Sequence, residues 1–258
     1  MMKEEIREMP TNDATAANDI ENAAGALCAA SELARVPISA YRVGALAVGK
    51  SGRAYAGANV EFPSLPLNFT VHAEQAAVIN ARLHGEESVE LLIVTAPPCG
   101  HCRQFLTELG NPSLRAVFGG VSHSLSELLP RSFSLPTGGE KLMSRAKDME
   151  EALKLAAPED VARAMAKASY SPYTGTKSGA ALLTASGKLF GGCLLECGAY
   201  NPSLTAIQTA LTAHALGRGD EIAKICLAET GATPLAPVLG AIVRSVAPRA
   251  EIEIIKSE

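Results

Sequence analysis

Tryptophan is absent from the sequence, and only 4% of its residues are aromatic. Proteins that hold single-stranded nucleic acid stack successive bases on aromatic side chains, and this chain has few to offer. Basic charge is short as well. The 23 Lys and Arg are outnumbered by 27 Asp and Glu, and the net charge is -4. No general positive field exists to hold a polyanion. No run approaches the roughly 18 apolar residues that a membrane span needs. The polar opening MMKEEIREMPTNDATAAND lacks the apolar centre of a secretory signal. These absences set the expectation of a cytoplasmic protein that engages neither nucleic acid nor membrane.

What is present is apolar mass: 47% of 258 residues are hydrophobic, ample for one large domain or two of ordinary size. Ile20 to Ala34, rich in Ala, Leu and Glu, reads as helix and ends before Val36-Pro37. Val43–Val48 and Ala54–Glu61 flank Gly49-Lys50-Ser51-Gly52 as strand, turn and strand. Val71–Leu83 reads as helix with Gly85 past its end, Val89–Thr95 as a buried strand, Gly100–Leu109 as a short helix and Leu114–Phe118 as a strand. Alternation of this kind predicts an α/β sandwich, with helices covering a largely buried sheet.

The second half repeats the first. From Val43 onward, at a shift of 135 residues and without gaps, Ser51-Gly52 falls on Ser186-Gly187, Glu61 on Glu196 and Thr70 on Thr205. A match of this length supports a duplicated domain. The stretch from Pro130 to Glu140, with two Pro and two Gly, is the linker candidate. The expected organisation is a polar segment and helix over 1–35, a first domain over 36–129, a linker over 130–148 and a second domain over 149–258.

The chemistry concentrates in TVHAEQAAVINARLHGEESVELLIVTAPPCGHC. It holds His72-Ala73-Glu74 and Pro98-Cys99-Gly100-His101-Cys102, the H-x-E and P-C-x-x-C pattern of zinc nucleobase deaminases. A catalytic zinc takes three protein ligands and leaves a fourth position open. His72, Cys99 and Cys102 supply three donors, and Glu74 is a base beside them. Two thiolates and a neutral imidazole cancel the charge of the metal, so bound water is acidified less and needs that base. Cys99 and Cys102 open a helix, whose N-terminus favours thiolates. His72 opens its own helix, with Thr70 as N-cap, and side chains there lean toward the helix start. A structural zinc would need a fourth ligand, and His101, the nearest, sits in the tight loop between the two Cys. The other cysteines, Cys28, Cys193, Cys197 and Cys226, read as buried thiols, and His84, His123 and His214 as structural or surface residues. On the residues alone, Asn59 and Glu61 alternate on one strand and suit either a ligand site or an exposed sheet edge.

TVHAEQAA around His72, PCGHCRQF around Cys99, YRVGA at Tyr41 and GANVEF at Gly57 resemble the cytidine deaminase family, in particular its two-domain homodimeric class. The resemblance implies the family's three-layer α/β/α fold duplicated in tandem, with a second copy lacking the metal site. It implies zinc-dependent hydrolysis of cytidine and 2′-deoxycytidine to uridine and 2′-deoxyuridine in pyrimidine salvage. Water activated by the metal attacks C4, and Glu74 shuttles the protons. It also implies that Asn59 and Glu61 bind the ribose, that Tyr41 walls the base, and that Phe133 and Tyr200 approach the substrate from a partner subunit. Ser134-Leu135 after Phe133 departs from the family's pattern there. In the ungapped repeat His72 falls on Ile207 and Glu74 on Thr209, so the second domain is expected to be non-catalytic. A nucleic-acid-editing deaminase and a zinc-stabilised binding protein are the competing readings. The first would need basic or stacking surfaces, and the second gives no reason for Glu74.

Overall fold

The structure, a computed structural model, describes residues 16–231 and 236–256. Its first half comprises α1 (Ala16–Ser31), β1 (Gly44–Gly49), β2 (Ala54–Ala58), α2 (Ala73–Leu83), β3 (Val89–Val94), α3 (Gly100–Thr107), β4 (Arg115–Phe118), β5 (Val121–Ser124) and α4 (Leu125–Leu128). The strands form one sheet in the order β2-β1-β3-β4-β5, in which only β3 and β4 run parallel. Then follow α5 (Ala146–Ala152), α6 (Pro158–Lys167), β6 (Lys177–Thr184), β7 (Leu189–Cys193), α7 (Ala206–Leu216), β8 (Ile222–Thr230), α8 (Ala236–Val246) and β9 (Glu251–Lys256). They build a second sheet, β7-β6-β8-β9, with β8 and β9 parallel. Among the described residues no helix is long and apolar enough to cross a membrane.

Glycines fix how the layers stack. A Cβ on Gly44 of β1 would lie 2.6 Å from Ser31 N and 2.7 Å from Leu27 O, so α1 rests directly on that strand. A Cβ on Gly57 of β2 would lie 2.1 Å from Ala77 N and 2.4 Å from Ala73 O, so α2 rests on the neighbouring strand. Gly57 pairs with Ala45, which adjoins Gly44, and successive residues of a strand point to opposite faces. The two helices therefore cover opposite faces of the sheet, as the sandwich expectation requires. β1 consists almost wholly of buried residues for the same reason. In the second half Gly179 and Gly192 make the same approaches, to Ala162 O of α6 at 2.2 Å and to Ala210 N of α7 at 2.2 Å.

The contact at Gly57 positions the N-terminus of α2. Substitution Gly57→Ala drives a methyl into helix backbone that has no rotamer to yield, and is expected to cost about 1–3 kcal/mol or more. Urea denaturation checks this, and a variant as stable as the parent would contradict the packing described.

The duplication is real, but its register needs one correction. Through the strands the two copies match as the ungapped alignment has it, down to an irregularity after Val48 in one and after Leu183 in the other. Beyond Glu61 they part. Val60 bridges Val71, whereas its counterpart Leu195 bridges Leu204, so the second connection is two residues shorter. His72 is the N-cap of α2 and Thr205 that of α7. His72 thus corresponds to Thr205, not Ile207, and Glu74 to Ile207, not Thr209. Thr70 is not the N-cap of α2; it closes the single 3-10 turn Leu67–Phe69.

The halves meet about a local two-fold. Gln75, in the first turn of α2, donates to Pro202 O at 2.9 Å, and Gln208, its counterpart in α7, donates to Phe69 O at 2.8 Å. Glu108, the C-cap of α3, accepts from the Tyr170 and Tyr173 hydroxyls (2.7 and 2.8 Å) and from Gly198 N–H (2.8 Å). Burial and this carboxylate push both phenols up. Arg82 of α2 is fully buried and donates to Ala168 O at 2.6 Å, while Nε lies 2.9 Å from Met149 Sδ. The second domain therefore holds both helices that carry the candidate site.

Candidate metal centre

His72, Cys99 and Cys102 come together. One donor atom from each lies within 4.8 Å of the other two, and His72 Nδ1 is 3.4 Å from Cys99 Sγ. Each segment earns its place locally. His72 is extended (φ -79, ψ 157) and lies outside the helix, with its N–H donating to Gln75 Oε1. That extended cap, more than a lean of helical side chains, lets His72 and Glu74 face one cavity although they are two residues apart. Cys99 is likewise an extended N-cap, of α3, after the Pro97-Pro98 break, and Cys102 sits buried in the first turn. Two helix N-termini converge, and their free N–H groups favour thiolates. His101 is not in the donor cluster; its ring stacks on that of His72 with centroids 4.9 Å apart and fixes its orientation.

The thiols titrate as a pair. A hydrogen bond from Cys102 draws Cys99 down to about 3, against its burial and with help from His72. The same bond, with burial, pushes Cys102 up. The bond to Cys99 raises His72, and burial raises Glu74. One imidazole and two thiols within reach of one another are a donor set that fits a zinc ion. A tetrahedral zinc with ordinary Zn–N and Zn–S bonds separates the two atoms by roughly 3.5 Å, close to the separation between His72 and Cys99. Among the described residues the other group of three donors, Glu159, Cys226 and Glu253, has its cation already: Lys224 Nζ lies 2.6 Å from Glu159 and 2.7 Å from Glu253.

A cavity of about 430 Å³ opens onto the centre, lined by Tyr41, Val43, Asn59, Thr70, His72, Ala73, Glu74, Ala96, Pro97 and Cys99. Ala96, Pro97, Val43 and Thr70 were not legible as lining residues; only the Pro97-Pro98 break marked this stretch. Asn59 borders the cavity, but its amide is tied to the loop beside it, accepting from Val43 N–H and donating to Tyr41 O at 2.9 Å each. Glu61 does not line this cavity. It accepts from the N–H groups of Ile38 (2.8 Å) and Ser39 (3.1 Å) and from the Ser39 hydroxyl, and borders a larger space of about 600 Å³ between the domains. Strand β2 ends at Ala58, so the alternation that would put Asn59 and Glu61 on one face does not extend to them. Phe133 and Tyr200 are exposed and away from this cavity. Cys28 is exposed, contrary to expectation, whereas Cys193, Cys197 and Cys226 are buried.

Burial alone would raise Glu61, yet the Ser39 hydroxyl and the two backbone donors outweigh it and hold the carboxyl below its ordinary value of 4.5. A depressed folded-state pKa stabilises the fold fully above the unfolded value. That contribution is lost as pH falls through the folded value. The stability gap between the parent and Glu61→Gln is therefore expected to be constant near neutrality and to close below pH 4.5. Urea midpoints from pH 7 down to pH 3 check it; a gap that widens with acid would contradict the bonding described.

Residues 18–118 match the family model described as the cytidine and deoxycytidylate deaminase zinc-binding region, and residues 125–250 match a second model of the same description. The chain belongs to this family. Its second half matches although it lacks the His and Cys donors, which agrees with a duplicated deaminase domain. Over 187 residues the chain is 41% identical to proteins named cytidine deaminase from Yersinia pestis (strain Pestoides F) and from Yersinia pseudotuberculosis serotype O:1b (strain IP 31758). The match covers 70% of this chain and 63% of each relative, so the chain spans less than two thirds of their length. Among solved structures, the cytidine deaminase of Mycobacterium tuberculosis is 33% identical with a TM-score of 0.40, over 43% of this chain and 94% of that one.

Proposed function

We propose that this deaminase-family chain hydrolyses cytidine and 2′-deoxycytidine to uridine and 2′-deoxyuridine with release of ammonia. The observation that carries the reading is the convergence of His72, Cys99, Cys102 and Glu74 on one cavity. His72, Cys99 and Cys102 would hold zinc, which supplies Lewis acidity and an open position for water. Glu74, buried at the cavity wall, would accept one proton from the attacking water and pass it to ring N3, then take the second from the new C4 hydroxyl and pass it to the departing amine. Asn59 and Tyr41 border the pocket for the nucleoside. Glu61 acts on this pocket through the 38–39 loop, which its carboxylate holds next to Tyr41. Phe133 and Tyr200, exposed on one chain, are assigned to completing the pocket of a partner subunit in a homodimer. The acidic charge and scarce aromatics favour a free nucleoside over nucleic acid, in the cytoplasmic salvage of pyrimidines.

The test is a purified-protein assay that follows the loss of cytidine absorbance, with zinc quantified on the same sample. About one zinc per chain is expected, together with turnover of both nucleosides. Deamination of an oligonucleotide as fast as free cytidine would overturn the preference, and zinc without turnover would favour a binding protein.

A further inference from the structure

The two segments that bring donors to the metal centre are pinned by different means. On the His72 side the chain is tied on both flanks. Val60 and Val71 exchange two backbone hydrogen bonds (2.9 and 3.0 Å), and Gln75 Oε1 receives the His72 N–H. On the Cys99 side the backbone offers little. Pro97 and Pro98 carry no N–H. Among the described residues no backbone–backbone hydrogen bond reaches residues 96–98. Cys99 is the N-cap of α3, yet its side chain makes no capping bond. Ala96, Pro97 and Cys99 nevertheless form one wall of the cavity of about 430 Å³.

Arg103 supplies the missing hold. It lies one turn into α3, and its side chain leans back toward the helix start, as helical side chains do. Nε donates to the carbonyl of the buried Pro98 at 2.8 Å. Nη1 donates to Leu128 O, also at 2.8 Å, in the last turn of α4, where helix carbonyls have no partner of their own. A guanidinium is a planar fork, so two bonds in different directions fix its orientation. Gln104, next along the helix, donates to Phe133 O at 3.2 Å. Consecutive side chains of α3 thus fasten the helix to both ends of the 128–133 stretch, and Arg103 passes that anchorage on to Pro98. In this respect Arg103 serves Cys99 as Gln75 serves His72.

We propose that Arg103 is a positioning residue of this site: by holding Pro98 it sets Cys99 at the place relative to His72 and Glu74 that turnover requires. Its kinetic part rests on the deaminase reading; its structural part rests on the donor cluster alone. Arg103 is neither a donor of that cluster nor a lining residue of the cavity, and it acts only through Pro98.

Arg103→Ala tests this, with Arg103→Lys as the gentler change. Both variants and the parent are loaded with zinc for turnover and, separately, with cobalt, whose absorption from thiolate to metal reports the geometry at Cys99 and Cys102. Arg103→Ala is expected to bind about one metal per chain and to show a shifted cobalt–thiolate band. Its turnover of cytidine per bound zinc is expected to fall about 10²-fold, the scale of a misplacement of about 1 Å. Guanidinium ion, added far below denaturing concentration, is expected to restore part of the turnover and to move the band back toward the parent's. Methylammonium, which lacks the fork, is expected to do neither. Arg103→Lys keeps the charge but reaches one carbonyl at a time, and is expected to lie between the parent and Arg103→Ala. If Arg103→Ala does not fold, Arg103→Lys decides. A strut that merely joins α3 to α4 would lower the unfolding midpoint and leave both the band and the turnover per zinc parental; that result would overturn the proposal. Reduced turnover per zinc with an unmoved band would overturn it too. A parent without cytidine turnover, whose band still shifts in Arg103→Ala, would instead count against the deaminase reading alone.

Discussion

Glu74→Gln is expected to retain about one zinc per chain and to lose 10²–10⁴-fold or more in cytidine turnover, roughly what a positioned general acid and base contributes. The geometry separates the two effects. Glu74 is not one of the three clustered donors, so removing its charge leaves His72, Cys99 and Cys102 able to bind metal. It is 4% exposed, and burial raises its carboxyl above the ordinary glutamate value. The amide of Gln occupies the same space and keeps a hydrogen-bond acceptor, but it accepts no proton. Glu74→Ala is expected to be at least as inactive. Absorbance loss of cytidine and elemental zinc on the same preparation check both. Parental turnover in Glu74→Gln would remove Glu74 from the chemistry, and zinc loss would move it from the proton path to the metal shell.

The convergence of His72, Cys99 and Cys102 was legible because the candidate site is written in short spacings. H-x-E and C-x-x-C each lie within one turn of chain, and Pro97-Pro98 announces the break that exposes Cys99 at a helix start. The strands β1 and β3 were legible from their apolar runs, and the sandwich follows from them together with Gly44 and Gly57. Features that depend on loops were not. An ungapped comparison carried the copies past Glu61 and set His72 on Ile207, because a surface connection two residues shorter leaves no local trace. The paired Gln75 and Gln208, each three residues after its N-cap, are the signal that restores the register. Nothing local in the sequence marks Glu108 and Arg82 as buried, since residues of these types rarely are. Only the domain junction, with Tyr170, Tyr173 and Ala168 from far along the chain, explains them. Glu61 fails for a related reason. Strict alternation would have turned it with Asn59 into one pocket, but the strand stops first and the 38–39 loop captures the carboxylate.

Removing both thiolates tests whether the convergence of two helix ends is a metal centre at all. Cys99→Ala with Cys102→Ala is expected to abolish stoichiometric zinc and all measurable turnover. It is also expected to make the unfolding midpoint indifferent to a chelator that lowers the parent's. Zinc held at a hundred times its dissociation constant stabilises the native state by about 2.7 kcal/mol, and that increment is what the chelator takes away. The loss has a predictable extent. In α7 the position of His72 is filled by Thr205, whose hydroxyl accepts from Gln208 N–H and so caps the helix without any metal. The second sheet and α7 are therefore expected to keep their exchange protection in the double variant, while the starts of α2 and α3 lose theirs. Zinc retained by the double variant would show that the donors are elsewhere. Loss of protection spreading evenly through both sheets would show that Gln75, Gln208, Arg82 and Glu108 bind the domains into one cooperative unit, with the metal stabilising the whole.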